Sequence, residues 1–379
     1  MRMPVRVLGQ EDVEPLLEGV GALGTGGGGD PAWGRVIMER DLRQGLTYRI
    51  IPPEEVPDDA VVVSGGYMGS VKTLEEMGFE KVVEDWDRRF ELLEALRAME
   101  GLLGRRVEYV VPFELGGLNT PVMLSLAARA GVVMVDGDAL GRAAPETQMT
   151  SFIGHGVRLT PMPLVDRRGN TVIVREAAYP AYADELGRWV VTRGGGTGAN
   201  THYPMTGAEL KRAVVPGTIS LALKVGRAIL EARAGREDPV AAFCRVAGGT
   251  LLLRGRVTEV SGEDRGGFYV TWVTVEGAGA PPERMRLVIK NETMAGWLDG
   301  RLVAVFPDLL CLLDPATGRG IMSVELAEGL EVCVVGVPCH GRLREALDTP
   351  EGAAAFSGAR YGCPDLEYRP IEELIKDLG

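Results

Sequence analysis

Histidine is scarce in this chain of 379 residues: His155, His202 and His340 are its only copies, and none stands in an HxH or HExxH spacing. No zinc site is therefore declared by pattern. Cysteine is scarce as well. Five copies without a CxxC pair do not read as a disulfide framework, and a reducing, cytoplasmic compartment is expected. Long apolar runs are missing. The best stretch, residues 302–313, is interrupted by Pro307 and Asp308, short of the ~18 apolar residues a spanning helix needs. The first residues, Met-Arg-Met-Pro-Val-Arg-Val-Leu, lack the apolar core of a signal peptide, so no membrane partner is expected. Basic charge is also short, with 41 Lys and Arg against 53 Asp and Glu for a formal net charge of −12. That balance argues against nucleic acid as a partner.

What is present is ample apolar material, 45% of the residues, and a length that suggests two domains. Up to about residue 245, short apolar runs alternate with helical periods. Helices are predicted over residues 10–19, from Asp30-Pro31 (a capping Asp before a Pro in the first turn), and over 87–103 and 120–130. Strands are predicted over 60–64, 107–111 and 132–135. Residues 159–175 read as a hairpin turning at 166–170. The run RGGGTGAN, 193–200, looks too glycine-rich for regular structure. Thr206-Gly207-Ala208-Glu209 fits a capping box, followed by helices over 219–234 and from Asp238-Pro239. From Gly248 onward strand patterns take over: 250–260, 268–275, 285–289, 302–306, 309–313 and 330–335, with a closing helix over 370–378. The expected fold is a three-layer α/β/α sandwich domain over 1–245, then a β-rich, barrel-like domain over 246–379.

Charge concentrates where predicted strands end. Val135-Asp136-Gly137-Asp138-Ala139-Leu140-Gly141-Arg142-Ala143-Ala144-Pro145-Glu146 follows a buried strand, and ligands of open α/β sheets bind beyond such ends. Asp136 and Asp138 can hold a metal, or one can act as acid or base. Arg142 can fork onto a substrate carboxylate. His155, shortly after this loop, is the expected nitrogen ligand of a divalent metal such as zinc, and His202 is a second candidate. A solvated turn is the plain alternative. Glu114 and Asn119 flank Gly116-Gly117, which admit close backbone approach, although Asn119 also suits a helix cap. The run Gly24–Asp30, with Gly27 and Gly28, offers an anion nest or a flexible linker. It has no Gly-Lys-Ser/Thr, so it is not a Walker loop. Gly65 and Gly66 end another strand in the run 64–70. Lys290, Asn291 and Glu292 close a strand of the second domain; Glu292 and Asp308 are expected to face the first domain across a cleft, with plain edge and turn polars as the alternative.

Taken together, GTGGGGDP, ELGGLNTP, VDGDALGRAAPE, the KNE of Lys290-Asn291-Glu292, PDLL with DPATG, and YRPIEEL resemble the S-methyl thiohydantoin desulfurase-like family, whose members carry hydantoinase- or oxoprolinase-related descriptions. The resemblance runs from about Leu8 to Leu374. It implies an α/β sandwich followed by a barrel-like domain, and hydrolytic replacement of ring sulfur by oxygen in a thiohydantoin or hydantoin-like substrate. On that footing Asp136 and Asp138 bind metal or activate water, Glu114 or Glu146 moves protons, and Arg142 holds an anionic tail. Gly27, Gly28, Gly66, Gly117, Asn119, Asn291 and Glu292 would surround the ring, with glycine N–H groups stabilising negative charge. The expected partners are a small molecule and further copies of the chain. The competing reading is a non-catalytic small-anion-binding protein or partner subunit of a hydantoinase. Cys339, His340 and Cys363 depart from what the resemblance explains.

Overall fold

A computed structural model describes residues 5–69, 78–265 and 268–376. In chain order the strands of the first half are β1 (Arg6–Leu8), β2 (Tyr48–Ile51), β3 (Val61–Gly69), β4 (Tyr109–Pro112), β5 (Val133–Val135), β6 (Gly137–Asp138), β7 (Met162–Asp166), β8 (Thr171–Val174), β9 (Thr197–Thr206) and β10 (Val215–Pro216). Eight of them form one sheet, ordered β1-β2-β5-β4-β3-β9-β7-β8, while β6 and β10 pair beside it. β2, β5, β4 and β3 run parallel; β9, β7 and β8 extend the sheet antiparallel.

Strand alternation explains why this sheet is covered on both faces. Ile50, Val63, Val110 and Met134 enter one core, and their neighbours Ile51, Val62, Val111 and Val135 enter another. The first core is closed by the helices Gln10–Leu23, Pro31–Arg43, Glu91–Leu103 and Asn119–Ala130. The second is closed by Ser151–Gly154, Gly207–Ala213 and the Ala183 side of Pro180–Arg193. The caps read from the sequence are in place: Asp30 accepts from Ala32 N at 2.8 Å, Asp238 from Val240 N, and Thr206 and Glu209 form the capping box.

The second half is a curled antiparallel half-barrel. Its strands are β11 (Thr250–Arg265), β12 (Phe268–Gly277), β13 (Arg284–Lys290), β14 (Glu292–Leu298), β15 (Arg301–Val305), β16 (Leu309–Leu313) and β17 (Glu331–Val337), ordered β15-β14-β13-β12-β11-β17-β16. The change to strand structure falls at Thr250, as the periodicity predicts. The first core runs without a break into this sheet through Val288, Met294, Phe306, Leu309 and Val335.

Four local expectations need correction. The glycine-rich run at 193–200 is half strand, because β9 starts at Thr197 and is pinned on both sides by β3 and β7. Gly65 and Gly66 lie inside β3, not in a loop, and Ser70 falls outside the described residues. β14 is not predicted, because Glu292–Gly296 are buried one after another and show no alternation of apolar and polar side chains. The closing helix spans only Ile371–Leu374, and Leu378 lies outside the described residues.

Candidate functional site

The glycine run between the first two helices is held where the two sheets meet. Thr293 N donates to Thr25 O at 3.1 Å, Ser323 N to Gly26 O at 3.0 Å, and Leu118 N to Gly28 O at 2.9 Å. Gly28 has φ +72°, and a Cβ there would stand 2.5 Å from Gly116 Cα. The two glycine loops therefore touch backbone to backbone, which a side chain on either would prevent. A Cβ on Gly27 would meet Glu292 Oε1 at 1.8 Å, so the bare backbone is what leaves space for that carboxylate. Gly117 packs against the start of the helix Pro31–Arg43.

Around this junction stand carboxylates taken out of water. Glu114 stands two residues after the end of β4. Its Oε1 accepts from Asn119 Nδ2 at 2.7 Å and its Oε2 from Ala144 N at 2.8 Å. Asn119 Oδ1 in turn accepts from Tyr67 N at 2.9 Å, next to Gly66. Burial lifts Glu114 to about 7 against these donors and against the pull of Arg142 and Arg188. Glu292 opens β14 and is raised well above the usual carboxylate range, first by burial and then by the charge of Glu114. Its Oε2 is buried without a hydrogen-bond partner among the described residues. With the charge of Glu114 set against it, Glu292 keeps its proton more readily than it would alone.

Asp138 is also buried and lifted to about 8, by burial first and in smaller part by Glu114. Both its oxygens accept from Gly141 N, at 2.8 and 3.0 Å, which fixes the turn after β6. Asp136 points elsewhere: Ser220 N and Ser220 Oγ donate to it at 3.0 and 2.6 Å, so it caps the long helix Thr218–Gly235. His155 lies apart from both, with Nδ1 2.8 Å from Ser151 O and Nε2 3.0 Å from Glu345 Oε2. The expected metal group of Asp136, Asp138 and His155 does not fit this arrangement, since each spends its donor atoms on a different part of the protein. Among the described residues no other group of three His, Cys, Asp or Glu side chains is disposed to hold a metal.

Arg142 takes a different part from the one expected of it. Nε donates to Ala143 O, Nη1 to Pro307 O and Asp308 O, and Nη2 to Thr25 Oγ1 and Thr293 O. All five N–H groups are thereby used, and the guanidinium lies 4.7 Å over the Phe306 ring. It ties the glycine loop to the half-barrel and has no donor left for a substrate. The Asp308 carboxylate is likewise spent on Cys339 N and Ile371 N. Asn291 is exposed at the β13–β14 turn, with φ +57°.

A second buried group adjoins the first. Glu146 accepts from Lys290 Nζ at 2.5 Å, from Gln148 Nε2 at 2.7 Å and from Arg360. Burial alone would raise Glu146, but Arg360 and Lys290 outweigh it and hold the carboxyl low. Burial lowers Lys290, whose ammonium sits 3.9 Å from the Phe268 ring centre. Arg188 pairs with Asp184 at 2.7 Å and stacks 4.1 Å from the same ring. Sequence reasoning missed Arg360, Arg188 and Gln148 as site residues and placed Lys290 only in the KNE motif. Glu146 lies 214 positions from Arg360 and 144 from Lys290, separations no spacing rule covers.

No helix among the described residues is long and apolar enough to cross a membrane. A search of curated proteins finds no match. Among solved structures, the crystal structure of a protein from Chromobacterium violaceum is similar, with a TM-score of 0.77 and 24% sequence identity over 97% of this chain and 100% of that one. That likeness supports the fold. Two family models match in sequence, the S-Me-THD-like N-terminal domain over residues 11–176 and the S-Me-THD-like C-terminal domain over 178–371. They meet just before the helix Pro180–Arg193, well ahead of the half-barrel at Thr250. With nearly its whole length matched by this pair, the chain belongs to the S-methyl thiohydantoin desulfurase-like family.

Proposed function

We propose that this protein is a hydrolase that replaces ring sulfur by oxygen in a thiohydantoin or hydantoin-like ring, with Glu292 and Glu114 managing the protons. The observation that carries the reading is the unpartnered Oε2 of buried Glu292, set against the charge of Glu114 and beside the bare backbone of Gly27. In an S-methylated ring, the oxygen of water bonds to the ring carbon and the carbon–sulfur bond breaks. Water's two protons end on the ring nitrogen and on the departing methanethiol. An ionised carboxylate must accept a proton and a protonated one must supply it; two neighbouring carboxyls of which one resists ionisation provide both states at neutral pH. Asn119 and Ala144 N hold Glu114 in place, so Glu292 is the member free to touch water or the leaving group. Family membership supports the ring chemistry.

The test is release of methanethiol from an S-methyl thiohydantoin, followed with a thiol reagent. Glu292→Gln is expected to cut turnover by about 10²–10⁴-fold, the usual weight of a general acid–base group. Undiminished turnover in that variant would overturn the assignment. Binding of the ring by the wild-type protein without any release would favour a binding protein instead.

A further inference from the structure

Besides Glu292 Oε2, the buried polar atoms without a hydrogen-bond partner among the described residues include Ser64 Oγ, His202 Nδ1 and Gln148 Oε1. Native interiors leave few such groups unmet, and each calls for a ligand or an ordered water. Ser64 and His202 are not independent. They sit directly opposite on the antiparallel strands β3 and β9, where paired side chains share a face at a Cβ separation of about 5 Å. A single small group placed between them reaches both.

Their position ties them to the carboxylate site. Ser64 and Gly66 lie on the same face of β3, two residues or about 6.6 Å apart, and a Cβ on Gly66 would stand 3.1 Å from Asn119 Oδ1, the residue that holds Glu114. The His202 ring meets the edge of Phe113, the neighbour of Glu114, at 5.8 Å. Gln148 belongs to a segment fastened to β9 where Tyr203 Oη donates to Thr147 O and accepts from Thr150 Oγ1, each at 3.0 Å.

We propose that Ser64 Oγ and His202 Nδ1 form an uncharged two-point clamp for one amide edge, an N–H beside a C=O, of the ring substrate. The idea rests on the reading of the carboxylate site given above. A hydroxyl donates to the carbonyl, and a neutral imidazole nitrogen accepts from the N–H. Burial pushes His202 down to about 3, so the imidazole is neutral at physiological pH. A charged ligand would need a counter-ion at this point; the nearby cations Arg142, Lys290 and Arg360 are already committed to protein acceptors. A hydantoin, with N–H groups flanked by carbonyls, has the required edge. Ser64 and His202 are positioning residues in this scheme, and bond making remains with Glu292.

The probe is hydantoin itself, titrated calorimetrically into the full chain, with methanethiol release measured separately. Ser64→Ala should weaken hydantoin binding about 5–10-fold, as for one lost neutral hydrogen bond. It should leave the melting temperature unchanged or higher, because the hydroxyl is unpartnered in the free protein. His202→Phe, which keeps a ring but no nitrogen, should weaken binding similarly. His202→Asn, whose amide places a polar atom near the Nδ1 position, should recover most of the affinity. Wild-type affinity in both Ser64→Ala and His202→Phe would overturn the clamp. So would a lowered melting temperature with unchanged affinity in Ser64→Ala, the mark of a structural water site, or no hydantoin binding by the wild type at millimolar concentration. Binding that depends on both residues without sulfur release would retain the clamp and remove the desulfurase reading.

Discussion

Glu114→Gln separates the ionisation of this carboxyl from its shape. Burial lifts Glu114 from 4.5 to about 7, so between those values the folded chain keeps a proton that the unfolded chain has released. As far as this group is concerned, stability is highest below pH 4.5, falls as pH rises toward 7, and is level above it. At about 1.4 kcal/mol per pH unit of displacement, the loss between pH 5 and pH 8 comes to about 2–3 kcal/mol. The amide cannot ionise and escapes this loss. Relief of the repulsion felt by Glu292 acts in the same direction. Against that stands a pH-independent penalty of about 1–3 kcal/mol, because the amide turns a donor toward either Ala144 N or Asn119 Nδ2. Urea denaturation of wild type and variant at pH 5 and pH 8, with unchanged m-values, should show the variant gaining on the wild type by about 2–3 kcal/mol. A stability difference that stays constant across this range would refute the reasoning, since Glu114 would then be ionised throughout.

Arg142→Lys keeps the charge but cannot replace five fixed donors, and should cost about 2–4 kcal/mol in urea denaturation; an unchanged midpoint would deny the tie between the glycine loop and the half-barrel. Gly27→Ala places a methyl group on the Glu292 carboxylate, and should reduce methanethiol release more than about tenfold while the chain stays folded. Asp136→Asn should cost about 1 kcal/mol through the weakened cap at Ser220 and leave turnover near that of wild type. A collapse of turnover there would return Asp136 to the chemistry. Lys290→Met removes a buried partner of Glu146 and should destabilise by about 2–4 kcal/mol, with a loss that shrinks at acid pH as Glu146 becomes protonated.

Local physics made much of the fold legible. Period-2 and period-3.6 apolar patterns marked most strands and helices. Asp30, Thr206 and Asp238 marked helix starts because a cap needs only neighbours two or three residues away. Motif resemblance carried the family. The sequence also brought Glu114, Asn119, Gly27, Gly28 and Glu292 forward as candidates, since glycines and polar residues at strand ends are local features. What each does was decided by tertiary contacts. Asp136 and Asp138 look equivalent two residues apart, yet one caps the helix Thr218–Gly235 and the other closes its own turn. Arg142 looks like a substrate anchor until Thr25, Thr293 and Asp308 are seen to take its donors. His155 lies near the acidic loop in sequence but bonds Glu345, 190 residues on. Whether a carboxylate stays buried and protonated, spans two sheets or caps a helix depends on which distant groups exclude water from it, and that is fixed only when the chain has closed.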